Sequence, residues 1–486
     1  MASQSEEIWR VLGEQNPWRS AGTVPATLAP PFQRPLVDAL RARLLHDVPR
    51  RFQVVLGHRR VGKTTVMYQL VARLLAEGWP LDRLWWYRLD HPFFVRSSLG
   101  DLVRPTAERA SSDAPALLLL DEIVYAEGWD LWLKTFYDER WPVHIIATSS
   151  ATAILRDRRM ESGVGRWEEQ YLAPMLLDEY VDLRGEEVVD FAVHDELGAT
   201  LEALPDGIQA PGWLERRRTE LLLAGGFPEL LAALDADSEN EEITLVSQRT
   251  LRADAVERAL YKDIPQSFNI EDPLNLERVL YTLAGQVAQV LSPQAIARDL
   301  GLSAPTINRY IGYLERAFLV YTLPNFAPSE GRVQRRGRKL YFVDPAVRNA
   351  ALQRGIAPLA DPAELGHLVE NLAASHLLAL AQNEGHRLFH WRRGNHEIDL
   401  VYDAPRPLAF EVSTSASHSR RGLLAFRQHH HRFGLGCYLV APNLSVVAPQ
   451  PSNDHVGTLP LDLFLLLVGR QASRALARRL GGRARS

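Results

Sequence analysis

The segment of the sequence with the clearest chemistry is a glycine-rich stretch that ends in a lysine and two threonines. Residues 57–65 read GHRRVGKTT and match the pattern G-x-x-x-x-G-K-[ST]. Its glycines let the backbone curl so that N–H groups point at phosphate oxygens, Lys63 bridges the β- and γ-phosphates, and Thr64 ligates Mg²⁺. A chance match is the alternative, but an apolar run precedes the stretch and a helical pattern follows it, as such a site requires. The residues expected to bind ATP and Mg²⁺ are Gly57, Arg60, Gly62, Lys63, Thr64 and Thr65.

A pair of acidic residues at the end of an apolar run is the second candidate. Residues 117–122 read LLLLDE, which predicts a buried strand with two carboxylates at its carboxyl end. Asp121 is expected to join Thr64 at the magnesium ion, and Glu122 to polarise the attacking water. The alternative is an ordinary strand that ends in an acidic loop.

Two further side chains are candidates for the γ-phosphate. Ser150 ends the run Thr-Ser-Ser after apolar residues 143–147, so its hydroxyl could bind the phosphate or the water, although it could equally cap a helix at 151–155. Arg166 could serve as an arginine finger for a neighbouring subunit, because a delocalised positive charge stabilises the transition state. The alternative for Arg166 is a solvated or salt-bridged surface role.

The elements that position these residues are predicted from short apolar runs alternating with helical patterns. The runs that predict buried strands are residues 52–56, 84–89, 117–120 and 143–147. Such alternation indicates a parallel α/β sheet. The candidates follow strand ends, so they should meet at one edge of the sheet.

Composition sets broad limits on the class of protein. The length of 486 residues suggests about three domains. The 55 Lys and Arg against 59 Asp and Glu require any nucleic-acid contact to come from local patches. A single cysteine, Cys437, excludes an intramolecular disulfide, and no secretory signal or membrane-spanning run is evident. A soluble cytoplasmic protein without a membrane partner is expected.

Taken together, the motifs resemble bacterial and archaeal AAA-type ATPases whose C-terminal half is a domain of unknown function with a restriction-endonuclease-like core. The segments that carry the resemblance are residues 59–65, 121–123 with Trp129 and 133–134, 148–150, 165–166 with 172–175, 225–229, 341–345 and 368–371. The resemblance covers most of the chain. It implies ATP binding and hydrolysis, and a homo-oligomer such as a hexameric ring is expected.

Residues 293–314 independently predict a helix-turn-helix. Ser292 and Ser303 are suited to cap two helices, and Gly301 to make the turn between them. Two strands follow, at 319–323 and 339–343, as a wing. The residues expected to contact DNA phosphates are Arg309, Arg332, Arg335, Arg336, Arg338 and Lys339. The alternatives are a lid or assembly domain, and a solvated basic loop.

The C-terminal part contains three acids in the order that restriction-type nucleases use. Such nucleases hold Mg²⁺ with a helix carboxylate, an Asp at a strand end and the Glu of a Glu-x-Lys pair. Glu370, Asp399 and Glu411 follow that order, but Ser413 stands in place of the lysine. This degenerate site predicts a binding or architectural remnant rather than an active nuclease.

The predicted fold is α/β: an AAA-type P-loop parallel sheet with a helical lid, then a winged helix-turn-helix, then a small restriction-endonuclease-like α/β domain. The predicted domains are the ATPase core at 1–195, the lid at 196–290, the winged helix at 291–350, the nuclease-like domain at 351–470 and a basic tail at 471–486. The predicted function is an oligomeric ATPase that moves on or remodels duplex or branched DNA. The alternative is a nucleotide-controlled regulatory or defence switch that binds a partner.

Overall fold

A computed structural model shows two compact units. It describes residues 4–45, 50–150, 165–187, 191–234, 241–268, 270, 272–335, 337–449 and 456–481. The first unit is Met1–Leu172 with Ala477–Ser486, and the second is Ala173–Leu476. The ATPase core predicted at 1–195 extends past Leu172, where the first unit ends. The segment after residue 172 belongs to the second unit because Leu177 N–H donates to His376 (2.9 Å) and Asp178 accepts from Ser473 (3.0 Å).

The first unit is built on a parallel five-stranded sheet with strand order β2-β3-β4-β1-β5. Its strands are β1 (Phe52–Leu56), β2 (Leu84–Arg88), β3 (Ala116–Asp121), β4 (Val143–Ser149) and β5 (Trp167–Tyr171). Four lie where the apolar runs predicted them. The edge strand β5 was not predicted, because its sequence WEEQY is mostly polar and only Trp167 and Gln170 are buried.

Helices surround this sheet. They are α1 (Gln4–Gln15), α2 (Trp18–Ala21), α3 (Pro35–Leu45), α4 (Lys63–Ala76), α5 (Leu99–Ala107) and α6 (Trp129–Asp138). Asn16, between α1 and α2, pairs with the edge strand β2. Its amide donates to Trp86 O (2.9 Å) and accepts from Trp86 N–H (2.7 Å), so backbone groups of the sheet edge are satisfied.

The second unit begins with helices, as predicted. They are α7 (Leu177–Leu183), α8 (Leu197–Glu202), α9 (Trp213–Ala224), α10 (Pro228–Ala233), α11 (Glu241–Leu251), α12 (Ile264–Ser267) and α13 (Pro273–Ala284), with π-helical turns at Arg252–Glu257 and Ala259–Asp263. Next come α14 (Pro293–Leu300) and α15 (Ala304–Arg316). Ser292 accepts from Ala295 N–H and Ser303 from Thr306 N–H, as the two predicted caps require.

A two-stranded antiparallel sheet follows α15. It pairs β6 (Val320–Pro324) with β7 (Arg338–Phe342), and α16 (Glu330–Arg335) lies in the connection. This connection is not a free loop, since Phe326 and Val333 lie in a buried cluster with Trp391.

A mixed sheet with strand order β12-β11-β10-β9-β8 forms the rest of the second unit. Its strands are β8 (Arg387–Arg393), β9 (His396–Asp403), β10 (Leu408–Val412), β11 (Cys437–Ala441) and β12 (Gly457–Pro460). The first three are antiparallel neighbours, and β10, β11 and β12 run parallel. The later helices are α17 (Pro345–Leu352), α18 (Pro362–Glu384), α19 (Arg421–His429) and α20 (Leu461–Arg479). The α/β prediction, with a second sheet after the helical segments, is confirmed.

The end of the chain differs from the predicted basic tail. Helix α20 extends to Arg479, and Gln471, Ala472, Ala475 and Leu476 are buried in it. Residues 482–486 lie outside the described part. Among the described residues, no helix is long and apolar enough to cross a membrane.

Candidate functional site

The glycine-rich loop joins β1 to α4 and depends on both of its glycines. A Cβ atom at Gly57 would lie 2.3 Å from Leu172 O, and Gly62 has a φ of 94°, which favours glycine. Arg34 donates to Val61 O (2.8 Å), holding the loop from the side. The loop therefore directs the N-terminal N–H groups of α4 toward the space above the sheet, where a phosphate group can be bound.

Lys63 is the first residue of α4, and its side chain folds back over the loop. Its ammonium donates to Gly57 O (3.0 Å) and His58 O (3.0 Å), and the residue is buried. Burial lowers the pKa of the adjacent His58 to about 3, so this imidazole is neutral at physiological pH. Its two hydrogen bonds to the loop hold the Lys63 ammonium at the position that phosphate recognition requires.

The acidic pair lies at the end of β3, where α4 brings Thr64 to it. The Thr64 hydroxyl is 3.3 Å from each carboxylate oxygen of Asp121. Hydroxyl and carboxylate oxygens are hard ligands of the type that Mg²⁺ prefers, so these two residues fit the ion. Arg60 and Thr65 are half-buried in the same segment.

Strand β4 positions the acidic pair through its hydroxyls. Thr148 donates to Asp121 (2.6 Å) and accepts from Glu122 N–H (3.0 Å). Ser150 donates to Glu122 through both its N–H (3.2 Å) and its hydroxyl. Ser150 was predicted to contact the γ-phosphate or the water, whereas its bonds here go to Glu122. The sequence did not predict the role of Thr148.

The two carboxyl groups have opposite electrostatic environments. Burial, then the charge of Glu122, raises the pKa of Asp121 to about 6. Burial also acts to raise the pKa of Glu122, but the positive charges of Lys63 and Arg59 and the Ser150 hydrogen bonds outweigh it, so this pKa is lowered. Glu122 also has a left-handed backbone (φ 54°) that turns it away from the strand direction. Glu122 therefore stays ionised, as a residue that orients water must.

Arg166 lies at the other end of the sheet. Its carbonyl accepts from Phe52 N–H at the start of β1, and its guanidinium binds Asp138 through two bonds of 2.8 and 3.0 Å. The phosphate loop follows the opposite end of β1, so Arg166 is remote from the site of its own chain. Arg156, Arg158 and Arg159, the other arginines near it in the sequence, lie outside the described residues.

The predicted DNA-contacting residues do not share one environment. Arg309, Arg332 and Arg338 are exposed. The side chain of Arg335 and all of Arg336 lie outside the described part. Lys339 is 2% exposed, so its predicted contact with DNA phosphates is wrong. It is buried because β7 turns this side chain toward α18 and β9.

Two of the predicted nuclease-like residues, Glu370 and Asp399, bind the side chain of Lys339. The Lys339 ammonium lies 2.7 Å from Glu370, 2.9 Å from Glu397 and 2.8 Å from Asp399. We call these four residues the carboxylate centre. Within the described part of the chain, no group of three or more His, Cys, Asp or Glu residues is arranged to hold a metal ion.

Glu411 and Ser413 lie at the margin of the carboxylate centre. Glu411 accepts from His418 (3.1 Å), and the Ser413 hydroxyl accepts from Ser415 N–H (3.0 Å). Burial, then the charge of Asp399, raises the pKa of Glu411 to about 7 and that of Glu370 to about 8. Sequence reasoning missed the role of Lys339; the available signal was a lysine within the apolar strand sequence KLYFV.

Three segments of the chain match known domain families. Residues 49–181 match the AAA domain family, residues 215–356 match a domain of unknown function (DUF8612), and residues 365–461 match a domain of unknown function (DUF4143). The AAA match and the loop geometry define the first unit as an AAA-type P-loop domain.

The chain is also similar to whole proteins. It is 25% identical over 428 residues to an uncharacterised protein of Methanocaldococcus jannaschii, covering 85% of this chain and 84% of that protein. An uncharacterised protein of Haemophilus influenzae is 21% identical, over 78% and 87% of the two chains. The solved structure of the Aeropyrum pernix ORC2 protein in its ADP form is 14% identical, over 68% and 96% of the chains, with a TM-score of 0.32. That score is too low to carry an argument.

Proposed function

We propose that the protein binds Mg²⁺·ATP at the phosphate loop and hydrolyses it. The observation that carries this proposal is the joint placement of Thr64, Asp121 and Glu122 at the carboxyl end of β3, beside the phosphate loop. One carboxylate is suited to a metal ion and the other to a water molecule.

Each residue of the site has a defined task in this proposal. Lys63 and the N-terminal N–H groups of α4 bind the phosphates. Thr64 and Asp121 would hold Mg²⁺, which neutralises phosphate charge when bound. Glu122 orients water and receives its proton, and Ser150 holds Glu122 in place.

We further propose that the active form is a homo-oligomer in the form of a hexameric ring. Arg166 cannot serve its own site, because it lies at the far end of β1. Its bidentate bond to Asp138 keeps the guanidinium oriented at the surface of the unit, from which it would reach the γ-phosphate of a neighbouring subunit.

DNA is the proposed partner of the second unit. Helices α14 and α15 with the strands β6 and β7 have the order of a winged helix-turn-helix. Exposed Arg309, Arg332 and Arg338 supply positive charge for a phosphate backbone, whereas buried Lys339 does not contribute to this surface. In this proposal ATP hydrolysis drives movement on, or remodelling of, duplex or branched DNA.

A second candidate is a nucleotide-controlled switch with an inactive nuclease-like domain. The order of α18, the antiparallel strands β8 to β10, α19 and the parallel strand β11 supports the proposed nuclease-like domain. The lysine inside the carboxylate centre favours this candidate, since it opposes metal-dependent cleavage.

Steady-state ATP hydrolysis with no DNA and with single-stranded, duplex and branched DNA tests these proposals. ATPase activity that is absent in Lys63→Ala and kept in the surface control Lys262→Ala supports the nucleotide site. Stimulation by DNA supports the remodelling function, and slow turnover that no DNA alters supports the switch. Equal turnover in the wild type and Lys63→Ala would contradict the assignment of the site.

A further inference from the structure

The carboxylate centre is arranged around one ammonium group. Lys339 donates to an oxygen of Glu370 from α18, and to oxygens of Glu397 and Asp399 from β9, at 2.7 to 2.9 Å. Its side chain is 3% exposed, so water cannot solvate the charge. Three carboxylate oxygens from two elements thus surround a single buried cation.

The backbone around Lys339 is fixed on both sides. On one side, Lys339 pairs with Leu323 of β6, and on the other with Val290. Next to it, Arg338 O accepts from Leu291 N–H, and Leu340 N–H donates to Gln289 O. Because segments of the same chain pair with β7 on both sides, the lysine can move little away from the carboxylates.

A backbone N–H and a hydroxyl group also bind oxygens of the centre. The second Asp399 oxygen accepts from Val412 N–H (2.9 Å). The Glu370 oxygen that binds Lys339 also accepts from the Tyr341 hydroxyl (2.6 Å). A divalent ion would have to displace the ammonium and repel it at close range, so the residues present do not fit a metal.

We infer that the Lys339 ammonium replaces the divalent metal of a nuclease-like centre, so that the centre keeps its structure without metal. Cation and carboxylates come from one chain and need no ion from solution. The comparison with a metal site rests on the proposed nuclease-like fold, whereas the test below depends only on the contacts of Lys339 and can fail while the ATPase assignment stands.

Removing the lysine should make the thermal stability of the protein depend on a divalent metal ion. In Lys339→Ala the three carboxylates face one another without a cation, and the missing side chain leaves room for an ion. The thermal unfolding midpoint should fall by a few degrees in EDTA and recover in Mn²⁺ or Mg²⁺. Wild type and the surface control Lys262→Ala should show no such difference.

The conditions of the unfolding measurements should prevent nucleotide binding and protonation of the acids from changing the midpoint. Measurements without nucleotide avoid stabilisation by Mg²⁺·ATP. The midpoints are measured over a series of pH values, because loss of the Lys339 charge raises the pKa of Glu370 further and a proton could take the place of the metal at low pH.

A second variant covers the case in which Lys339→Ala does not fold. The triple change Lys339→Met, Glu370→Gln and Asp399→Asn removes the cation together with two acids. If this triple variant has the unfolding midpoint of the wild type and the midpoint does not change with metal, the inference is supported. A triple variant as unstable as Lys339→Ala, or a Lys339→Ala protein indifferent to metal, overturns it.

The wild type supplies an independent check. Equilibrium Mn²⁺ binding without nucleotide should be the same for wild type and Asp399→Asn. Binding that Asp399→Asn loses, or Mg²⁺-dependent DNA cleavage that Asp399→Ala abolishes, would show that the centre takes a metal beside its lysine.

Discussion

At the scale of single residues, the nucleotide site depends on two adjacent carboxyl groups with different surroundings. Asp121 is buried and shares its oxygens with Thr64 and Thr148. Glu122 is held by Ser150 and stays ionised next to the charge of Lys63. Substitution of one residue should therefore separate binding from hydrolysis.

Glu122→Gln should retain ATP binding and lose hydrolysis. Lys63, Thr64 and Asp121 remain, but a neutral amide cannot accept the proton of the water, and loss of a general base costs about 10²- to 10⁴-fold in rate. Nucleotide affinity and single-turnover hydrolysis measure the two effects, with the exposed Glu127→Gln as the matched control. Wild-type turnover in Glu122→Gln would place the base elsewhere.

At the scale of elements, α7 and α20 meet through a carboxyl group in an apolar environment. One oxygen of Asp178 accepts from Ser473 (3.0 Å), and the other has no partner among the described residues. Burial, then the charge of Glu179, raises the pKa of Asp178 to about 8. Gly469 provides the space, since a Cβ there would lie 2.1 Å from Asp178.

Asp178→Asn should stabilise the protein near neutral pH. Because the pKa is raised in the folded state, that state holds a proton that the unfolded chain has released between pH about 4 and about 8. Wild-type stability therefore falls as pH rises through this window, by up to about 1.4 kcal/mol per unit. The amide avoids this cost, so the free energy of unfolding should rise by up to about 4 kcal/mol near pH 7 and little near pH 4.

Denaturant unfolding at a series of pH values checks this prediction. The exposed Asp113→Asn is the matched control, and it should follow the wild-type profile. Parallel profiles for wild type and Asp178→Asn would mean that Asp178 does not take up a proton on folding.

At the scale of the whole molecule, the proposed oligomer places two halves of one active site in different chains. Arg166→Ala should abolish hydrolysis, and so should Lys63→Ala. Mixing the two should restore part of the activity, because an intact loop can then meet an intact arginine. Steady-state ATPase rates over a range of mixing ratios measure this recovery. Mixed oligomers without any recovery would contradict a role in trans.

The proposed binding of DNA also belongs to this scale. Changing Arg309, Arg332 and Arg338 to Glu should weaken binding to all sequences about equally, since interactions with phosphates carry no base specificity. The slope of log affinity against log salt should flatten by up to about 0.9 for each phosphate group that the variant no longer neutralises. Binding curves at several salt concentrations measure both effects. An unchanged slope would place the DNA-binding surface on other residues.

Much of the nucleotide site was predictable because its signals are local. Residues 57–65 and the pair Asp121 and Glu122 are short patterns next to apolar strands, and parallel strands bring their carboxyl ends to one edge. The caps Ser292 and Ser303 were predictable for the same reason, since a cap bonds within three residues. The mostly polar edge strand β5 carries no such pattern.

Tertiary structure decided the features that depend on residues distant in sequence. Thr148 reaches Asp121 from a neighbouring strand, and Leu177 joins the second unit through His376. Lys339 is the clearest case. Its neighbours in the sequence suggest an exposed basic strand, but the pairing of β7 with β6 directs the Lys339 side chain toward the acids of the carboxylate centre. Sequence alone determines which charges the chain carries and the local turns and caps. The sum of long-range contacts determines which charges are buried together, since a buried ammonium is stable only where the fold brings carboxylates to it.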